Sequence, residues 1–496
     1  MATDQPSQYD DFLTRVRRIS NLQTAGGVLS WDQQVMMPEG GTPARSKQLS
    51  TLSALSHELL TDEGMATHLD ALESTDLDDD RRAVVRELRR EHDRAASVPA
   101  DLVEEISEAT SEALSVWQRA KDEDDFEHFA PTLERLVELK REYAAHIDPD
   151  ADPYAVLFAD YEPYLDLETA ERVLERLRER LVPLIEAVEA SDVSFESPFS
   201  GTYDDETQMA LARDVLDTLG YPWERGRLDT APHPFMSGTQ FDARVTTRFK
   251  PDEPMDALTA VVHEFGHATY QLGLPDEAYG TPLGRSRDLT VHESQSRLWE
   301  NHVGRTRAFW DLLAPVVSDH LGDVSSGELF EAANRVYPDN LIRVEADELT
   351  YHLHIILRFE IERALVSGDL AVADVPEAWN DKMESYLGVR PETDAEGCLQ
   401  DIHWAHANFG YFPTYSLGSV LAAQLFAAAE RDVGDVEAQV REGDFDTLRD
   451  WLREHVHRHG QRYTTPDLVR EATGEAYTAD YFLDYVEGKY GDLYDL

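Results

Sequence analysis

Cysteine and lysine are scarce in this chain of 496 residues. Its one cysteine, Cys398, excludes a disulfide within the chain, and a lone thiol is typical of proteins kept in a reducing interior. Only six of its 45 basic residues are lysines. No apolar run reaches the roughly 18 residues of a membrane span, and the stretch from Met1 to Ser20 has no apolar core of signal-peptide length. We therefore expect a cytoplasmic protein that does not span a membrane.

Acidic residues dominate the charge. There are 98 Asp and Glu residues against 45 Lys and Arg residues, so the formal net charge is −53. Such like charges repel one another in a compact fold, and concentrated salt relieves this repulsion by shortening the screening length to about 3 Å at 1 M. The composition predicts a halophilic protein. It argues against nucleic acid or an anionic membrane as a partner, since both are bound through basic patches.

Apolar residues recur at helical spacing over most of the chain. Residues 166–188 are typical: Asp166 can cap the start, and one apolar stripe follows, formed by Val173, Leu174, Leu177, Leu181, Leu184 and Ile185. Similar patterns predict helices over 130–147 and 340–365. We expect a mainly α fold in which residues 1–496 form one large unit, with a candidate lobe boundary near 191–207.

One segment has the periodicity of a strand instead. From Phe241 to Phe249, apolar and polar residues alternate, as in a half-buried β-strand. The preceding residues, 231–240, contain the Pro and Gly of a turn. The sequence predicts a short hairpin beside the helix that follows.

That helix carries three ionisable residues among apolar ones, in "TAVVHEFGHATYQLGLP" (Thr259–Pro275). On a helix, His263 and His267 lie on one face, and Glu264 falls within the same sector. This is the H-E-x-x-H pattern, in which two imidazoles bind zinc and the glutamate acts as a base. The alternative is a core helix with a hydrogen-bonded polar patch, which would cost several kcal/mol in desolvation.

A third ligand is expected from "LTVHESQSRLWENHVG", about 20 residues downstream. Glu293 is the natural carboxylate, and it would complete a His₂Glu site with an open position for water. Glu300 and His292 are alternatives that the spacing does not exclude. One Zn²⁺ is the expected metal, although this ligand set also accepts Co²⁺ or Mn²⁺.

Further motifs stand in a fixed order along the chain: "HPF" (233–235), "DARVT" (242–246), "HEFGH" (263–267), "HESQ" (292–295), "IRVEAD" (342–347) and "GCLQDIHW" (397–404). With these motifs the chain resembles the carboxypeptidase Taq family of metallopeptidases over nearly its full length. The resemblance implies a helical two-lobed fold with a deep cleft, a homodimer, and a divalent metal. It also implies release of single residues from peptides with a free C-terminus. His263, His267 and Glu293 would then be ligands and Glu264 the base.

The same resemblance suggests roles for other residues. Tyr415 and His403 become candidate donors to the oxyanion, although each could instead be structural. Arg343 becomes the candidate anchor for the substrate carboxylate, through the bidentate geometry of its guanidinium; the alternative is an ion pair with Asp347.

His233 and Arg244, on or near the hairpin, are candidates to border the substrate. Arg244 could equally form a cross-strand ion pair. The histidine-rich stretch 455–460 is interpreted as a solvated helix end, where positive side chains favour the dipole.

Three functions remain open from the residues alone. The first is a metal-dependent carboxypeptidase. The second is an endo-oligopeptidase or aminopeptidase with the same His₂Glu site. The third is a non-catalytic acidic scaffold, which the joint presence of ligands, base and carboxylate anchor argues against.

Overall fold

The computed structural model describes residues 8–496. Residues 1–7 lie outside that range. They belong to the stretch Met1–Ser20, for which the sequence predicts no signal peptide. The α-helices of the described chain are α1 (Gln8–Val35), α2 (Thr42–Thr61), α3 (Glu63–Glu73), α4 (Asp79–Ser97), α5 (Ala100–Glu123), α6 (Phe126–Ile147), α7 (Pro153–Phe158), α8 (Leu167–Ala190), α9 (Asp205–Thr218), α10 (Pro254–Gly273), α11 (Leu289–Arg297), α12 (Arg307–Leu321), α13 (Ser326–Ala333), α14 (Thr350–Ser367), α15 (Val375–Leu387), α16 (Pro413–Val433), α17 (Val436–Arg441), α18 (Asp446–His455), α19 (Thr465–Thr473) and α20 (Asp480–Tyr494). The predicted mainly α fold is confirmed.

None of the helices within residues 8–496 is both long enough and apolar enough to cross a bilayer. Helix α8 follows the predicted pattern closely. The Asp166 side chain accepts a hydrogen bond from the Thr169 amide at its start. Its apolar stripe faces the core, with Leu174, Leu177 and Leu181 buried.

A three-stranded sheet lies beside α10, with strands β1 (Gly226–Thr230), β2 (Met236–Thr239) and β3 (Asp242–Thr247) in the order β1-β3-β2. Strands β2 and β3 form the predicted antiparallel hairpin. Ala243 and Val245 are fully buried, whereas Phe241 lies at the turn and is 45% exposed. Strand β1, which pairs parallel to β3, was not predicted. The residues expected to form only a turn include strand β2.

The helix predicted over 340–365 is wrong in its first part. Helix α14 begins at Thr350, and the preceding residues contain a 3₁₀ turn over Arg343–Glu345. The cause is Asp347, whose carboxylate accepts hydrogen bonds from the amides of Leu349 (2.8 Å) and Thr350 (3.0 Å). An aspartate that satisfies the first free amides of a helix begins it rather than continuing it.

Two large apolar clusters form the core, and α16 contributes to both. Leu417 and Val420 pack into the cluster that includes α6, α8 and α14. Leu421 and Leu425 pack into the cluster that includes α9, α10 and α12. The segment between α8 and α9, which contains the candidate lobe boundary, is irregular. The organisation as one unit over 1–496 stays a prediction.

Candidate metal centre

Helix α10 brings the histidines of the H-E-x-x-H pattern together. The ring centroids of His263 and His267 are 4.9 Å apart. Pro254 stands at the first turn of the helix, where its missing N–H has no cost. The apolar face of α10 is buried with Val261, Phe265 and other residues, and this packing holds the polar residues at a fixed orientation.

Two glycines allow the three site helices to approach closely. A Cβ added to Gly266 on α10 would lie 2.6 Å from the Cα of Ser296 on α11. A Cβ added to Gly418 on α16 would lie 2.5 Å from the Cβ of Glu293. Real Cβ atoms do not tolerate such contacts, so only glycine fits at these positions. The close packing places Glu293 of α11 directly opposite the two histidines.

The three predicted ligands meet at one point. Glu293 Oε2 lies 3.8 Å from His263 Nε2 and 3.6 Å from His267 Nε2. All three atoms lie within 4.8 Å of one another. Two ligands bound about 2.1 Å from a tetrahedral Zn²⁺ are about 3.4 Å apart. Two imidazole nitrogens and a carboxylate oxygen at these separations fit a divalent metal.

Glu300 and His292, the alternatives to Glu293 as the third ligand, make other contacts. Among residues 8–496, no other group of three or more His, Cys, Asp or Glu side chains brings its ligand atoms this close together. Glu300 contacts the opposite nitrogen of His263, with Oε2 2.8 Å from Nδ1. The His292 ring stacks on His267, with ring centroids 4.3 Å apart. The geometry therefore favours Glu293 as the third ligand.

Glu264 lies beside this group with its carboxyl buried. Burial raises the pKa of this carboxyl to about 7. Its Oε2 atom has no hydrogen-bond partner within residues 8–496. A buried, unpaired carboxyl oxygen is costly unless it serves a ligand, so Glu264 is well suited to hold a water and accept its proton.

The pKa values of the two histidines are shifted in opposite directions. Burial holds the pKa of His267 well below its usual value, which favours the neutral form that binds metal. Burial also acts to lower the pKa of His263, but Glu293 and Glu300 outweigh it and raise that pKa. The two carboxylates thus stabilise positive charge at His263, which a metal ion can supply in place of a proton.

The acidic residues around the histidines are neutralised by two arginines that the sequence reasoning missed. Arg297 contacts Glu293 and Glu300, and Arg305 Nη2 donates to Glu300 Oε1 at 3.0 Å. Glu300 lies in a π-helical turn, Leu298–Val303, that directly follows α11. Such turns occur frequently at functional sites. The spacing of Arg297, four residues after Glu293, could have indicated this contact.

The partner of Arg343 is Asp401, and the predicted alternative pairing with Asp347 is wrong. Arg343 Nη2 and Nε donate to Asp401 Oδ1 at 2.7 and 3.1 Å. Its Nη1 donates to the Tyr351 hydroxyl at 3.1 Å. Arg358 Nε donates to the other oxygen of Asp401 at 2.6 Å. The two guanidinium groups outweigh burial and hold the pKa of Asp401 well below its usual value.

His403 and Tyr415 lie in an aromatic cluster around Arg343. The ring centroids of His403 and Tyr415 are 6.4 Å apart, and Arg343 Cζ lies 5.4 Å from the Tyr415 ring centroid. Tyr351 links this cluster to the histidine site, because the Arg297 guanidinium carbon lies 4.7 Å from its ring centroid. Burial lowers the pKa of His403 to about 4, so its ring is neutral at neutral pH.

His233 and Arg244 are the two candidates on or near the hairpin. His233 is exposed on the loop between β1 and β2. Arg244 forms its ion pair with Asp242 of the same strand, at 2.6 Å, rather than across strands. Its guanidinium also lies over the Trp31 ring at 4.2 Å. Arg244, Asp242 and Trp31 line a cavity of about 340 Å³ between α1 and the hairpin.

The prediction that the histidine-rich stretch 455–460 is a solvated helix end is wrong at His457. His457 is buried, and its Nε2 lies 2.9 Å from Gln295 Oε1. Burial lowers the pKa of this histidine to about 3. The ring packs against Tyr270 of α10, with centroids 5.0 Å apart, and its hydrogen-bond partner Gln295 belongs to α11. His457 therefore supports both helices.

Comparison with known proteins identifies a family and relatives that match nearly the whole chain. The family profile described as carboxypeptidase Taq (M32) metallopeptidase matches residues 11–490. Thermostable carboxypeptidase 1 of Pyrococcus furiosus is 39% identical over 488 residues, 96% of this chain and 97% of that protein. Thermostable carboxypeptidase 1 of Thermus thermophilus is 39% identical over 504 residues, 98% of this chain and 99% of that protein.

Solved structures agree in fold as well as in sequence. The crystal structure of the M32 carboxypeptidase from Deinococcus radiodurans R1 matches with a TM-score of 0.95 and 38% identity, covering 99% of this chain and 100% of that one. With this match, the family profile and the His-His-Glu group together, the chain belongs to the carboxypeptidase Taq family of metallopeptidases.

Proposed function

We propose that this protein is a metal-dependent carboxypeptidase that releases single amino acids from the free C-terminus of peptides. The observation that carries the proposal is the meeting of His263 Nε2, His267 Nε2 and a Glu293 oxygen within 4.8 Å of one another, beside the buried carboxyl of Glu264. Three protein ligands and an adjacent base are the arrangement of catalytic rather than structural metal sites.

Each residue of the site then has a step. His263, His267 and Glu293 would hold a divalent cation, which would supply Lewis acidity toward a water and the scissile carbonyl. Glu264 accepts the proton of the attacking water and delivers it to the departing amine. His403 and Tyr415 are proposed to donate to the developing oxyanion, in a cluster from which bulk water is largely excluded.

Recognition of the free C-terminus is assigned to Arg343. Asp401 holds the Nε and Nη2 edge of its guanidinium, and Nη1 donates one of its two hydrogens to the Tyr351 hydroxyl, so its second hydrogen remains for the substrate carboxylate. The aromatic rings around Arg343 shelter this contact from water, which strengthens it. Arg244 and the exposed His233 are proposed to border the rest of the peptide, Arg244 because it lines the cavity beside β2.

The metal, the assembly and the location are further parts of the proposal. Zn²⁺ fits the His₂Glu set best, and Co²⁺ or Mn²⁺ can replace it. A homodimer is proposed on the family resemblance. A cytoplasmic location is proposed because the only cysteine of the chain, Cys398, is a buried free thiol, which suits a reducing compartment.

The deciding experiment uses matched peptides with a blocked N-terminus and either a free or an amidated C-terminus. Release of free amino acids is measured before and after chelation, together with the metal content of the purified protein. A carboxypeptidase cleaves the free peptide, fails on the amide and stops on chelation. Internal cleavage of the amidated peptide would identify an endopeptidase instead. A protein without metal or turnover would contradict the proposal.

A further inference from the structure

Arg297, the last residue of α11, contacts two acidic side chains at once. Its Nε donates to Glu293 Oε1 at 2.7 Å, and its Nη1 donates to Glu300 Oε2 at 3.1 Å. The side chain is only 15% exposed, and the Tyr351 ring covers one face of the guanidinium. Charge-assisted hydrogen bonds sheltered in this way are among the strongest in proteins.

The contact with Glu293 decides which oxygen faces the histidines. Oε1 is engaged by Arg297, and Oε2 is the oxygen within 3.6 and 3.8 Å of the imidazole nitrogens of His267 and His263. A carboxylate that is free to rotate can offer both oxygens to a metal. With Arg297 on Oε1, Glu293 presents one.

The contact with Glu300 reaches a second ligand indirectly. Glu300 Oε2 lies 2.8 Å from His263 Nδ1, so this nitrogen donates its N–H and the lone pair of Nε2 faces the site. Histidine ligands are oriented by such carboxylate partners. Arg297 Nη1 donates to the same Glu300 oxygen at 3.1 Å, and Arg305 Nη2 donates to Oε1 at 3.0 Å. Arg297 is therefore connected to two of the three ligands.

We infer that Arg297 is a positioning residue that jointly sets the one-oxygen coordination by Glu293 and the orientation of His263. The inference rests on the proposed metal-dependent function. It follows from the geometry that loss of Arg297 leaves two buried carboxylates without their shared cation. Glu293 can then turn toward a metal with both oxygens, while His263 loses part of its support.

The test compares Arg297→Met and Arg297→Lys with the unaltered protein. Metal affinity is measured by competition with a chromophoric chelator, and the visible spectrum is recorded with Co²⁺ in the site, because Co²⁺ bands report coordination number and geometry. Arg287→Met is the matched control. Arg287 is also buried and pairs with a carboxylate, Glu87, at 2.8 Å, but it contacts neither Glu293 nor Glu300.

Loss of Arg297 is expected to weaken metal binding by about 10- to 100-fold and to alter the Co²⁺ spectrum. Arg297→Lys keeps the charge but cannot reach both carboxylates, so an intermediate affinity with an altered spectrum is expected. Arg287→Met should lower the unfolding temperature and leave the spectrum unchanged. If Arg297→Met does not fold, the altered spectrum of Arg297→Lys carries the test.

Two results separate this inference from the proposed function. Unchanged affinity and an unchanged Co²⁺ spectrum in the Arg297 variants would overturn the role of Arg297, while metal-dependent turnover by the unaltered protein would still support the carboxypeptidase. Failure of the unaltered protein to bind any divalent metal would overturn both.

Discussion

Glu264 has the properties of a general base that operates near neutral pH. Burial raises the pKa of its carboxyl to about 7, while the neighbouring His263 acts to lower it. A base is most effective when its pKa lies near the working pH, because it is then both available and strong enough to take a proton. Its Oε2 atom has no hydrogen-bond partner among residues 8–496, which is consistent with a position for the attacking water.

Replacing Glu264 with Gln tests this role, since Gln keeps the shape and loses the basicity. We expect kcat to fall by about 10²- to 10⁴-fold, with the metal content unchanged. Steady-state kinetics and metal analysis on the same preparation measure both quantities. Glu277→Gln, on an exposed turn, serves as the control and should be indistinguishable from the unaltered protein. Full activity of Glu264→Gln would remove Glu264 from the mechanism.

Helix packing decides where Glu293 lies, and Gly418 on α16 is the critical point. The backbone of α16 approaches so closely that a Cβ at position 418 would overlap the Glu293 side chain. The position of Glu293, the proposed third ligand, is therefore set by a residue without a side chain on another helix. A change at Gly418 should act on the proposed metal site without altering any of its proposed ligands.

Gly418→Ala is expected to displace Glu293, lower the metal affinity and destabilise the fold by about 1–3 kcal/mol. Chelator competition and denaturant unfolding measure the two effects. Gly488→Ala on α20 is the matched control, because a Cβ there meets no atom of residues 8–496 within 4 Å. Alanine has the higher helix propensity, so this control should stabilise the protein slightly. Equal behaviour of the two variants would disprove the packing argument.

Helix α14 carries a buried carboxyl, Glu362, that accepts hydrogen bonds from Trp404 Nε1 and the Gly410 amide and contacts the Tyr154 hydroxyl, each at 3.0 Å. Burial outweighs these contacts and raises the pKa of Glu362 from 4.5 to about 7. The folded protein thus binds this proton more tightly than the unfolded chain does. The resulting stability is fully present below pH 4.5 and is lost as the pH rises through about 7.

Glu362→Gln should remove this pH dependence. The free energy of unfolding of the unaltered protein, relative to the variant, is expected to fall by up to about 3 kcal/mol between pH 4.5 and pH 7. Urea unfolding at several pH values gives the difference, and the comparison cancels all other titrating groups. A difference that is constant with pH would show that the pKa of Glu362 is the same in the folded and unfolded states.

The charge of the whole chain determines how the fold responds to salt. Many ion pairs on the surface are exposed, such as Arg390 with Glu377, and salt screens these weak attractions. The excess of negative charge is far larger, at −53. Relief of this repulsion should therefore outweigh the loss of exposed pairs.

We expect the unfolding temperature to rise steadily as KCl is raised from about 0.1 M to about 2 M. Differential scanning calorimetry measures the change. A neutral osmolyte at equal osmolality is the control, because it stabilises through exclusion from the surface without screening charge. A greater stability in dilute salt would contradict the electrostatic argument.

Local patterns were enough to predict the helices with a clear apolar stripe, including α8, the hairpin before α10, and the H-E-x-x-H pair. These features depend on residues close together in the chain, where backbone geometry alone sets which side chains share a face. The helix predicted from apolar spacing over residues 340–349 is wrong. There Asp347 satisfies backbone amides and delays the start of α14, which apolar spacing does not reveal.

Contacts between residues far apart in the chain determine the geometry of the candidate site. The geometry that favours Glu293 over Glu300 and His292 as the third ligand, and the pairing of Arg343 with Asp401, depend on bringing together residues that are 26 and 58 positions apart. The burial of His457 against Gln295 and the position of Arg297 beside the Tyr351 ring also depend on such long-range packing. Helix packing fixes these distances, through close approaches such as that at Gly418, and packing arises only when the whole chain has folded.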